Sequence, residues 1–156
     1  MTLVRSILSL LYPVRRRAMA LLRWKTRGVK VLLFDPDGRV LLVRHGYGRS
    51  DLFMLPGGGV ARRESPAAAA VREIREELDC AITDPTPIAT YRARAEGRRD
   101  TVHLFSARTA DRPTPDGREI IEARFVALDA LPGTTSAATR RRIAEWRGER
   151  ARSADW

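Results

Sequence analysis

Gly58-Gly59-Val60-Ala61-Arg62-Arg63-Glu64, then seven residues from Ser65 to Val71, then Arg72-Glu73-Ile74-Arg75-Glu76-Glu77, is the stretch on which the reading of this chain turns. At about 100° per residue, a helix through it puts Ala67, Val71, Ile74 and Leu78 on one stripe. Glu73, Glu76 and Glu77 are expected on a face turned well away from that stripe. Glutamates at this spacing repel by roughly 0.2–0.5 kcal/mol per pair unless a cation lies between them. A cluster of carboxylates without His or Cys suits a hard cation, Mg²⁺ or Mn²⁺, better than zinc. The other reading of the same face is a solvated acidic surface, since Glu is an ordinary helix former.

The preceding loop, Leu55-Pro56-Gly57-Gly58-Gly59, bears on that choice. Consecutive glycines open backbone conformations closed to other residues and allow close approach to a metal or phosphate. A glycine triplet alone also reads as a plain turn. Taken together, Gly58, five residues, Glu64, seven residues and Arg72-Glu73-Ile74-Arg75-Glu76-Glu77 resemble the signature of the Nudix (MutT-like) hydrolases. The flanking pattern extends the resemblance from residue 28 to about 147. One position departs from it: Asp79 stands where the signature has Gly, followed by Cys80 at its apolar position. Asp tolerates the left-handed conformation that such a helix end requires, so the fold is expected to survive the change.

The resemblance implies an α/β fold, a Nudix-type α/β/α sandwich with a mixed sheet. It also implies a hydrolase cutting a phosphoanhydride bond in a nucleoside diphosphate-linked substrate. By motif position, Glu73, Glu76 and Glu77 would hold Mg²⁺ or Mn²⁺, and Glu73 and Glu76 with Arg72 would form the catalytic group. Arg72 would orient Glu73, or be a surface helix arginine. Glu64 would support the loop or a metal-bound water, or be an N-terminal capping partner; Gly57 could lend a backbone carbonyl to the metal, beside Gly58. Outside the signature, Glu119 and Glu122 are candidates for a further acidic ligand, although Arg124 stands where some relatives place it. Arg44, His45, Phe53 and Tyr91 are candidates for substrate contact. His45 reads better as a rim residue, His103 as a structural histidine, and Phe53, Tyr91 and Phe105 as core aromatics. Two other functions stay open: removal of the 5′ pyrophosphate from RNA, and a non-catalytic Nudix domain that senses a nucleotide. Three mutually repelling carboxylates argue against the second.

At 156 residues and 44% hydrophobic, the chain is expected to form one domain with a substantial core. A formal net charge of +10 would draw phosphorylated substrates toward it. The cations are nearly all arginine, the lysines being Lys25 and Lys30. That bias fits a GC-rich genome as readily as a polyanion partner, and without an interleaved basic and aromatic groove nucleic acid is not favoured. Cys80 is the single cysteine, which excludes an internal disulfide and leaves a cytoplasmic chain as the default.

Residues 1–27 read as an N-terminal basic amphipathic helical extension, with Leu3, Val4, Ile7, Leu8 and Leu11 on one stripe and Arg15, Arg16, Arg17 and Arg23 beyond. Its apolar run is too short to span a membrane or serve as a secretory signal. Residues 2–24 could pack on the domain or a homodimer partner, lie on a membrane surface, or form a poorly ordered leader. Residues 28–147 are expected to form the Nudix domain. Strands are expected over 29–34 and 39–44 as a hairpin on Asp35-Pro36-Asp37-Gly38, over 52–55, over 88–95 and 101–109 as a second hairpin, and over 123–127. A last helix should run from about Ser136 to about Arg147, followed by a loose polar tail at 148–156.

Overall fold

The computed structural model describes residues 27–46, 51–95 and 98–156. The helix expected over residues 2–24, and Glu96 and Gly97 of the second hairpin turn, lie outside the described residues. No helix among the described residues is long and apolar enough to cross a membrane.

The two apolar runs beginning at Val29 and Val40 form β1 (Arg27–Phe34) and β2 (Val40–His45). Gly38, at φ 79, closes the turn between them, and the Asp35 carboxylate accepts from the Arg39 backbone N–H at 2.8 Å. The hairpin expected here pairs only at its turn, Phe34 with Val40. Beyond that register, backbone from the glycine segment takes the edge of β1. Val29 N–H donates to the Gly58 carbonyl at 2.9 Å, and Val31 N–H to the Pro56 carbonyl at 3.0 Å. The strands therefore splay around the loop.

On its other edge β1 runs parallel to β5 (Arg98–Arg108), which pairs antiparallel with β4 (Thr86–Ala95). Both strands begin earlier than expected; β4, as an edge strand, tolerates Pro87 at a register shift between Pro87 and Ala89. Along β2 lie the two-residue β3 (Phe53–Met54) and β6 (Ile120–Val126), completing a six-stranded mixed sheet. β6 starts three residues before the expected Ala123. Asp116 Oδ1 accepts the Glu119 and Ile120 N–H groups at 3.0 and 2.9 Å, and so carries the chain directly into the strand.

Helix α1 (Pro66–Leu78) covers one face, packing Ala69, Ala70, Ile74 and Leu78 on Val29, Val31, Leu33, Leu41 and Val43. Helix α2 (Ala137–Trp146) covers the other, with Ile143 against Leu32, Phe34, Leu42, Phe53, Leu55, Tyr91 and Leu104. Burying a Leu or Ile side chain contributes about 1.5–3 kcal/mol. Ile74 and Leu78 alone thus outweigh the repulsion among the α1 carboxylates, and α1 needs no cation in order to fold.

The tail expected to be loose is pinned instead. Arg92 N–H donates to the Ala154 carbonyl and Trp156 N–H to the Arg92 carbonyl, each at 2.9 Å, so the chain end lies along β4. Beneath it Arg142, with no exposed surface, donates to Glu145 Oε1 at 2.8 Å and to the Asp155 carbonyl at 3.1 Å. Its guanidinium stacks 4.1 Å from the Tyr91 ring centroid, and Tyr91 Oη donates to Glu145 Oε2 at 2.9 Å. The tail's polar composition concealed this, because its partners are backbone groups and one buried ion pair. Arg142→Ala leaves Glu145 buried without its counter-ion and should cost about 3–5 kcal/mol in urea unfolding. A loss below about 0.5 kcal/mol would show that the pair contributes little.

Candidate active site

The signature helix is capped at both ends by its own sequence. Ser65 Oγ accepts the Ala68 N–H at 3.1 Å, Pro66 takes the first helical position, and Asp79 adopts φ 53 while its N–H reaches the Arg75 carbonyl at 3.0 Å. Asp79 thus performs the left-handed turn that glycine would make. Cys80 is buried behind it, and burial pushes its thiol up to about 11.

The glycine segment meets the helix through contacts no larger residue could make. Gly57 has φ 124, and a side chain there would run into the Val29 carbonyl. At Gly58 a side chain would occupy the space of the Glu73 carboxylate. Gly57 N–H donates to Glu77 Oε2 at 3.2 Å.

These contacts correct the expectation that all three glutamates share one outward face. Glu77 is 5% exposed, because its place beside Ile74 and Leu78 borders the apolar stripe and the loop folds over it. The Glu73 side chain is 14% exposed and that of Glu76 61%. No three acidic, His or Cys side chains converge on one point among the described residues.

Arg72 sits in their midst. Its Nε donates to Glu64 Oε1 at 2.8 Å, its Nη2 to Glu64 Oε2 at 3.0 Å and the Gly59 carbonyl at 2.9 Å, and its Nη1 to Glu73 Oε1 at 2.8 Å and Glu76 Oε2 at 3.1 Å. Glu64 also accepts the Ala61 N–H at 2.8 Å, and the Arg72 hydrogen bonds hold its carboxyl down to about 2. These contacts tie loop, helix and two of the three glutamates into one network. Burial, with the Glu73 and Glu119 charges, pushes Glu77 up to about 7 against the opposing pull of Lys30 and the Gly57 N–H.

Lys30 is a site residue that the motif does not contain. Its Nζ donates to the Leu55 carbonyl at 2.9 Å and the Gly57 carbonyl at 2.8 Å. The residue keeps some accessible surface, yet protein encloses its amine closely enough that burial lowers its pKa, while Glu77 and Glu73 oppose the change. A signal for it was present in the sequence: a lysine, one of two in the chain, in the middle of an apolar strand.

Outside the signature, the structure separates the candidates. Glu122 is engaged by Arg44 at 2.6 Å and lies 3.9 Å from Arg124, whereas the Glu119 charge is felt at Glu77. The loop leading to Glu119 is anchored on α1, with Asp116 N–H on the Glu77 carbonyl at 3.0 Å and Thr114 N–H on the Leu78 carbonyl at 2.7 Å. Phe53 is a core residue covered by Arg124, 4.3 Å from its centroid, and Tyr91 is buried under α2, so neither offers a face to a base. His45 is buried rather than on the rim. Burial first, then the Lys30 charge, lowers its pKa to about 4. His103 Nδ1 hydrogen-bonds Thr90 Oγ1 at 3.1 Å across β4 and β5, a structural role, and Phe105 belongs to the core.

Glu77 gives the metal-free protein a defined pH dependence. Its folded pKa lies near 7 against an ordinary 4.5, so the folded state holds the extra proton between those values. Stability from this group is present below about 4.5 and lost as pH rises through 7, by on the order of 3 kcal/mol. In EDTA, melting temperature should therefore fall between pH 5 and 8 more steeply in the wild type than in Glu77→Gln. Parallel slopes would contradict the burial of this carboxylate.

The NUDIX domain family description matches residues 24–147. Among curated relatives, the chain is 34% identical over 110 residues to a Bacillus subtilis protein provisionally named 8-oxo-dGTP diphosphatase, covering 69% of this chain and 70% of that one. It is 32% identical over 118 residues to an isopentenyl-diphosphate Delta-isomerase of Streptomyces griseus, covering 67% of this chain and 58% of the isomerase. Among solved structures, the MutT Nudix hydrolase of Burkholderia pseudomallei superposes with a TM-score of 0.69 at 26% identity, covering 77% of this chain and 96% of that one. With the signature residues assembled between glycine loop and helix, and the match spanning the whole sheet, the chain belongs to the Nudix family of hydrolases.

Proposed function

We propose that this protein is a Mg²⁺- or Mn²⁺-dependent pyrophosphohydrolase acting on a nucleoside diphosphate-linked substrate. The observation that carries the reading is the placement of Glu73 and Glu77 against the glycine segment, with the exposed Glu76 joined to Glu73 through Arg72. All the donors are oxygens, as a hard divalent cation prefers. Burial that drives Glu77 to about 7 marks a carboxylate poised to gain from a cation. The donor chemistry suits such an ion: Glu73, Glu76 and Glu77 would hold it by turning together from their present contacts with Arg72 and the Gly57 N–H, with Glu119 rather than Glu122 as a further ligand. A bound divalent ion supplies charge neutralisation for the phosphates and acidifies water.

The chain's own residues account for the rest. Arg72 holds Glu73 by Oε1 and leaves Oε2 toward Gly58, an orientation in which that oxygen can accept a proton from the attacking water. Glu64 holds Arg72 in turn through two hydrogen bonds. The chain's net charge of +10 favours encounter with a polyphosphate. The isomerase name of one relative leaves family membership open as to reaction, and the intact carboxylate set favours hydrolysis.

Turnover should be lost with EDTA and restored by Mg²⁺ or Mn²⁺ on the best of a panel of nucleoside triphosphates, nucleotide sugars, dinucleoside polyphosphates and 5′-triphosphorylated RNA. Glu73→Gln and Glu76→Gln keep side-chain volume and should lower kcat by roughly 10²–10⁴ with the fold intact by circular dichroism. Near-normal kcat in both variants would identify a solvated acidic surface and a different active site.

A further inference from the structure

A lysine amine occupies a position at which the signature loop would be expected to offer an oxygen to the metal. Lys30 Nζ lies 2.8 Å from the Gly57 carbonyl oxygen and 2.9 Å from that of Leu55. Gly57 also donates its N–H to Glu77 Oε2 at 3.2 Å, so one residue, through its two successive peptide units, joins the amine to the buried carboxylate. Gly57 adopts φ 124, a conformation side chains rarely take, and a side chain there would run into the Val29 carbonyl, so only glycine can present its carbonyl to Lys30 here.

We propose that Lys30 is a resident cation of this active site, a positioning residue that takes the Gly57 carbonyl out of the metal's reach and leaves the divalent ion to the carboxylates. This rests on the reading of Glu73, Glu76 and Glu77 as metal ligands. An ion at a normal Mg²⁺–oxygen distance of about 2.1 Å from Gly57 would stand no more than about 5 Å from the ammonium. Two like charges that close in a partly buried site, beside a carbonyl already engaged, oppose that placement strongly. The lysine charge also faces those of Glu77 and Glu73, which attract it.

The test is Mg²⁺ titration of the full chain labelled with ¹³C at glycine carbonyl and glutamate carboxyl carbons. In the wild type the Glu73, Glu76 and Glu77 signals should move while the Gly57 carbonyl signal moves no more than its neighbour Gly58. In Lys30→Met the Gly57 signal should respond, and Mg²⁺ affinity should rise by roughly tenfold or more as the competing charge is removed. A wild-type Gly57 carbonyl that shifts together with the glutamates overturns the role of Lys30 while leaving the metal site in place. A Gly57 signal that stays still in Lys30→Met as well overturns it too, because something other than the lysine is then responsible. Glutamate signals that ignore Mg²⁺ overturn the metal site itself and the inference with it. If Lys30→Met does not fold, the wild-type titration alone still decides, since it requires Gly57 to be silent.

Discussion

The fold around the site depends on one close approach, that of the Gly57-Gly58 backbone to β1 on one side and to Glu73 and Glu77 on the other. With Val29 and Val31 donating to the Gly58 and Pro56 carbonyls, the loop replaces β2 along the edge of β1. The strands splay as a result, and α1 is delivered across the opening. Side chains at Gly57 or Gly58 would force apart the β1 contact or the Glu73 contact respectively. The packing that sets the sheet and the geometry that sets the site are therefore a single arrangement.

Charge is balanced within that arrangement by two cations of different character. Arg72 is multidentate and partly open to solvent, and it spends its fixed fork on Glu64, Glu73, Glu76 and the Gly59 carbonyl. Lys30 is a point charge addressed to backbone carbonyls from within the sheet. Together they explain how an acidic helix face with a buried glutamate is tolerated at modest cost. Apolar burial by Ile74 and Leu78 exceeds the pairwise carboxylate repulsion by several-fold.

Much of this was legible in the sequence, and for physical reasons. The α1 stripe, the start of α2 near Ser136 and the Asp79 helix end follow from local periodicity and backbone preference, which neighbouring residues determine. The Arg72, Glu64 and Glu73 network followed only from resemblance to a family, since residue spacing does not reveal which way a guanidinium turns. What stayed hidden depended on contacts distant in sequence. Glu77 is buried because a loop twenty residues earlier folds over it, the β1–β2 hairpin opens because that loop enters it, and the polar tail is ordered through Arg142 and the edge of β4. Phe53 and Tyr91, open to a role in base stacking by type alone, are closed to it by Arg124, Glu145 and Trp156.

The central claim is that the carboxylates of α1, set against the glycine loop, hold a divalent cation. Anomalous diffraction from crystals soaked in Mn²⁺ tests it most directly. A manganese peak is expected within coordination distance of the Glu73 and Glu77 carboxylates, with Glu76 released from Arg72 toward it. A peak found only elsewhere, with Glu73 and Glu77 still bound to Arg72 and the Gly57 N–H as they are without metal, would contradict it.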